Sequence, residues 1–177
     1  DGGLAGGNAG GPGDDASATT VAAGSVAAIF SIGADAPGTY GLSSDTSGLA
    51  SDLKSEGGSV VYDVTGNTLT AYVDDGVAGY IAADDREVFT LSLNGTTGAY
   101  TFTLIDQLDH SVTDDPGTVA VETAWEDEIT LNLGAILQAT DFDGDKVTAA
   151  ADKLVITVDD DSPTADGTAQ TDTVDED

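Results

Sequence analysis

The sequence predicts an all-β protein: a calcium-stabilised antiparallel β-sandwich with long Asp/Gly-rich loops. Three observations predict it. Seven short runs rich in branched aliphatic, Thr and aromatic residues, at 25–32, 59–64, 68–73, 87–93, 99–105, 129–133 and 154–158, alternate with turn-forming residues. Aromatic residues make up only 6% and methionine is absent, so the core must be built from Val, Leu, Ile and Ala with a few rings, a palette that suits strands. Of the 33 acids 27 are aspartate, against four Lys and Arg. The short Asp side chain favours turns and places hard oxygen ligands in a small space, which is the chemistry of a calcium site.

In chain order, residues 1–20 form a lead of Gly, Ala and Asp that cannot fold alone. The run 25–32 follows as a first strand, and 48–54 reads as a short helical turn. A Gly66-Asn67 turn joins the runs 59–64 and 68–73 as a hairpin. A second hairpin turns at Asn94-Gly95-Thr96-Thr97-Gly98, where Phe89, Leu91 and Leu93 on one side and Tyr100, Phe102 and Leu104 on the other alternate with Thr and Ser. Residues 133–139, with Leu133, Ile136 and Leu137 at helical spacing, suggest one helical turn before the next acidic loop. The last run, 154–158, ends at three acids and Pro163, which cannot donate to a ladder and stops the strand. One sandwich domain over 21–163 results, with the lead before it and an acidic linker, 164–177, after it.

The acids gather in groups at these turns. Two carboxylates about 4 Å apart repel by roughly 4 kcal/mol at an effective dielectric of ~20, so a tight group calls for protons, solvent or a cation. The sharpest group is Asp141-Phe142-Asp143-Gly144-Asp145, where alternate acids share one side of the backbone and Gly permits the turn that converges them. It is not an EF-hand loop, because Lys146 occupies the position that such a loop reserves for Gly. Asp159, Asp160 and Asp161 form the second candidate, at the junction with whatever follows. Asp14 and Asp15 form the third, and Asp74-Asp75-Gly76 is ranked with them as a weaker one. Each of these also reads as a solvated acidic turn.

Several activities are disfavoured. A net charge of −29 repels phosphate backbones and anionic lipid, so nucleic acid is not expected as a partner. No apolar run approaches the ~20 residues of a membrane helix, so no membrane insertion is expected. There is no cysteine for disulfides, thiol chemistry or thiolate metal sites. The single histidine, His110, lies between Asp109 and Ser111, but neighbours along a strand face opposite ways and cannot form a nucleophile, base and orienter. It reads instead as a polar residue at a strand end, bonded to backbone. Trp125 sits among acids and reads as a partly buried anchor. No acid pair stands out as a glycosidase couple, and the Gly-rich lead has neither the strand before it nor the basic residue of a phosphate loop.

The end 174–177 followed by the start 1–8 makes one continuous acidic-to-Gly-rich phrase, as in a unit cut from a tandem array. Together with the stretches 100–110, 129–131, Thr140-Asp141-Phe142-Asp143-Gly144-Asp145 and 154–163, this phrase resembles the repeat domain of giant type I secreted RTX adhesins of Gram-negative bacteria. The resemblance covers nearly the whole chain. It implies an extracellular, cell-surface, calcium-stabilised sandwich that extends or presents the ligand-binding region for adhesion and biofilm formation, with neighbouring repeats of the same polypeptide as partners. Asp141, Asp143, Asp145 and the Asp159 to Asp161 group match its acidic motifs. The glycine-aspartate nonapeptides of RTX β-rolls are missing. The expected function is therefore a noncatalytic spacer; the alternative is a module of the same adhesin that itself binds a surface carbohydrate or peptide through its loops, and a hydrolase is the third choice.

Overall fold

The computed structural model describes residues 3–7, 19–110, 128–161 and 171. Eleven strands occupy them: β1 (Val21–Ser25), β2 (Thr39–Leu42), β3 (Lys54–Ser55), β4 (Gly58–Thr65), β5 (Thr68–Val73), β6 (Arg86–Leu93), β7 (Ala99–Leu104), β8 (Ile129–Asn132), β9 (Leu137–Thr140), β10 (Lys146–Thr148) and β11 (Val155–Val158). Every pairing is antiparallel. A six-stranded sheet runs β1-β7-β6-β5-β4-β3, and smaller sheets run β10-β9-β2 and β11-β8. The fold is all-β and sandwich-like, as its alternating runs predict.

The core follows from that alternation. Val60, Leu69, Phe89, Leu91, Phe102 and Leu104 from the large sheet join Leu131, Leu137, Ile156 and Val158 from the small ones in a single buried cluster. Phe89 packs on Phe102 with ring centroids 5.2 Å apart, within the range of a favourable tilted pair. Side chains with period two thus meet across layers, which is what a half-polar strand requires.

Both expected hairpins form. Thr65 pairs Thr68 across Gly66, whose φ of +61° suits the turn. Leu93 pairs Tyr100, and Asn94 closes that turn by accepting the Thr96 and Thr97 N–H groups at 3.0 Å. The tips of these hairpins reach the second sheet: Tyr40 N–H donates to Gly95 O at 2.8 Å, and the Asn67 side-chain amide donates to Tyr40 O at 3.5 Å.

Three local expectations are corrected. The first strand is β1 (Val21–Ser25) rather than 25–32: after Ser25 the chain leaves the sheet, Val26 sinks fully into the core, and Ala27–Ile29 make a 3₁₀ turn. Residues 48–53 form a turn and bends rather than a helix, and Lys54 already belongs to β3. Leu49 and Leu53 are both buried, so their helical spacing records two separate anchors instead. In 133–139 the turn exists as the 3₁₀ segment Gly134–Ile136, but the chain then straightens into β9, paired on both sides by β2 and β10.

A bulge shapes one end of the large sheet. Ala71 pairs Phe89 whereas Tyr72 pairs Glu87, which leaves Val88 as the extra residue. Its carbonyl turns to accept Ile105 N–H at 2.8 Å and Asp106 N–H at 3.0 Å. Beside it Arg86 donates to Ser55 Oγ and Ser55 O at 2.8 Å each and to Asp106, so the chain's only arginine fastens β3 and the exit of β7 to β6.

Candidate metal centres

The five residues 141–145 form the loop of the β9–β10 hairpin, whose last pair is Thr140 with Lys146. Asp141 organises the loop. Its Oδ1 accepts Gly144 N–H at 3.1 Å and Asp145 N–H at 2.8 Å, while its own N–H donates to Asp145 O at 3.0 Å. Phe142 N–H donates to Asp35 O at 3.0 Å, which ties the loop to the segment before β2. Gly144 takes φ +102°, a left-handed conformation that an L side chain rarely adopts. The result is a loop in which Asp141, Asp143 and Asp145 each offer a carboxylate oxygen within 4.8 Å of the others.

A hydrogen bond with the Asp143 side chain, helped by N–H donors from Asp145, Gly144 and Asp143, holds the Asp141 carboxyl below its ordinary value of 3.8 against an opposing desolvation. A cation placed there would neutralise the carboxylates that the turn brings together.

A second group was only partly legible. Asp74 and Asp75 follow β5 and Asp85 precedes β6, and the three offer oxygens within 4.8 Å of one another. Asp85 is buried, at 8% exposure, and its two oxygens accept Asp75 N–H at 3.0 Å and Ile81 N–H at 2.6 Å. Asp74 accepts Gly76 N–H at 2.6 Å and Asp75 accepts Val77 N–H at 3.0 Å. The loop is thus folded around its own carboxylates. Tyr72 and Tyr80 lie beside it with ring centroids 5.1 Å apart, and the Tyr80 hydroxyl donates to Glu87. The sequence marks Asp74-Asp75 only as a weaker candidate, and Asp85 lies ten positions further along the chain. The usable signal was register, because Val73 pairs Arg86 and so brings the residues just beyond each strand end together.

The remaining candidates are placed differently. Asp159, Asp160 and Asp161 follow β11, but among the described residues they are not gathered into a three-carboxylate group. Asp160 instead faces His110, Oδ1 to Nδ1 at 3.1 Å, and accepts Asp161 N–H at 2.8 Å. Asp14 and Asp15 lie outside the described residues, as do Ser111, Trp125 and Pro163, and so does most of the expected linker and of the lead.

His110 occupies the backbone-bonded position expected of it. Its side chain is 2% exposed, with Nδ1 2.9 Å from Leu108 O and Nε2 3.3 Å from Val158 O.

The family model that matches this chain, over residues 12–153, is described as a domain of unknown function, DUF5801. No curated protein and no solved structure matches it.

Proposed function

We propose that this chain, which belongs to the DUF5801 domain family, is a calcium-binding, noncatalytic module of an extracellular bacterial adhesin, extending or presenting the ligand-binding region at the cell surface. The observation that carries the reading is the hairpin loop in which Asp141, Asp143 and Asp145 converge around Gly144. Three carboxylates and no cationic side chain within the loop make a hard, anionic oxygen site. Such a donor set fits calcium, which takes six to eight oxygens in flexible geometry and accepts water for the remainder. Asp74, Asp75 and Asp85 supply a second oxygen group of the same kind. Both lie at strand-to-strand turns, where a bound ion would fix loop geometry rather than catalyse a reaction. The resemblance noted in the sequence supplies the adhesin context, and neighbouring repeats are the proposed partners.

Binding to the native state adds RT ln(1 + [L]/Kd) to stability, about 2.7 kcal/mol at 100 times Kd. Melting of the chelated protein should therefore rise on addition of millimolar calcium, with saturable heat in calorimetric titration. Equal melting temperatures in chelator and in calcium would defeat the proposal.

A further inference from the structure

A cavity of about 670 Å³ opens where β11 leaves the sandwich. Three stretches distant in sequence line it: residues 4–7 of the lead, residues 106–110 after β7, and Asp160 and Asp161 after β11. We infer that residues 3–7 are a docked strap, seated by Leu4 on the hydrophobic core, that holds the 106–110 segment and the chain's exit from β11 together at one end of the sandwich.

Leu4 is the one large apolar side chain in the first twenty residues, which are otherwise Gly, Ala, Asp, Asn, Pro, Ser and Thr. It is half-buried and packs against the core cluster. The backbone around it is closed by Gly7 N–H donating to Leu4 O at 3.0 Å, with Gly6 at φ +98°. A lone leucine in a run that cannot otherwise bury surface is a specific anchor, because nothing else in the run has a reason to dock.

Its seat is itself held in place. Leu108 is buried at 3% exposure, Asp109 N–H donates to Lys54 O at 2.9 Å, and Gly57 N–H donates to the Asp109 carboxylate at 2.7 Å. These bonds lie along the short edge strand β3, so the seat has few ladder bonds of its own and gains most from a cover.

For an array of such units the consequence is geometric. The chain passes one cavity near residue 4 and again at residue 161, so strap docking would set the angle between a preceding and a following neighbour. Only that consequence rests on the tandem reading. The docking itself is tested on the single chain without calcium, so failure of either idea leaves the other standing.

Two measurements test it. In Leu4→Asp, amide exchange at 106–110 should quicken by about tenfold or more while the protection of β4 to β7 is kept. Unchanged exchange at 106–110 overturns the strap. Should the variant lose protection everywhere, the second measurement decides. The chain has no cysteine, so Ala5→Cys with Gln107→Cys gives a clean pair for a short bis-maleimide linker, and Leu4 stays intact. A crosslink within one chain supports the strap. Absence of a crosslink, or a crosslinked dimer with the lead of another copy in the seat, refutes it.

Discussion

Tyr62 and Tyr80 are kept neutral by different means. Burial dominates at Tyr62, with the Asp52 charge adding to it, and pushes the phenol up to about 12; the hydroxyl donates to Ala50 O at 2.8 Å. At Tyr80 the hydrogen bond to Glu87 dominates and takes the phenol to about 12 as well. In both the folded value exceeds the ordinary 10.0, so the contribution to stability is complete below 10.0 and is lost as pH rises toward 12. The urea midpoint should therefore fall steeply across that interval. Tyr62→Phe should flatten the fall, and an unaltered slope in that variant would remove Tyr62 from the account. Asp141 has the opposite sign: its depressed value means that its contribution is present above 3.8 and disappears as pH drops through the lower folded value.

At the scale of elements, the acidic hairpin invites a comparison of sites. Asp143 is exposed in the 141–145 loop, whereas Asp75 already accepts the Val77 N–H and its group is completed by the buried Asp85. Asp143→Ala should therefore weaken calcium binding more than Asp75→Ala, by about tenfold against a smaller loss, since removing a charge-bearing oxygen ligand from a hydrated site costs roughly 1–2 kcal/mol. Equal losses in calorimetric titration would show both groups to be equivalent. A second element prediction concerns the two 3₁₀ turns Gly134–Ile136 and Ala151–Lys153. A Cβ on Gly134 would lie 2.1 Å from Ala150 O and 2.7 Å from Ala151 O, a backbone clash that rotamer change cannot relieve. Gly134→Ala should cost about 1–3 kcal/mol or more, read from the urea midpoint.

The same elements show what sequence could convey. Residues 68–73 and the two hairpins were legible because alternation and Gly/Asn turns are local signals. β2, β3, β9 and β10 were not read as strands. Each has four residues or fewer, and β10 is exposed throughout, so their pairing is decided by partners distant in sequence. The 141–145 loop was legible for the same local reason, since its three acids and its glycine are contiguous. Asp85 was not, because its place beside Asp75 depends on the β5–β6 register and the bulge at Val88.

At the scale of the whole molecule, 33 acids against four Lys and Arg produce two distinct electrostatic effects that a single calcium experiment would mix. Diffuse self-repulsion of a −29 charge destabilises the compact state, and any salt relieves it as the Debye length shortens from about 10 Å at 0.1 M to about 3 Å at 1 M. Occupancy of the 141–145 loop would instead saturate at low concentration and depend on the ion's chemistry. Magnesium demands near-octahedral geometry and gives up its water reluctantly, so a flexible turn of three carboxylates should favour calcium over it. Melting temperature should consequently rise gradually with sodium chloride. At constant ionic strength it should rise further with millimolar calcium, and less with the same concentration of magnesium. Asp143→Ala should reduce the calcium increment and leave the sodium dependence nearly unchanged, since it removes one charge in 33 but one ligand in three. If calcium, magnesium and sodium act alike at matched ionic strength, the aspartates serve as a screened acidic surface, and the loop geometry must be explained by turn formation alone.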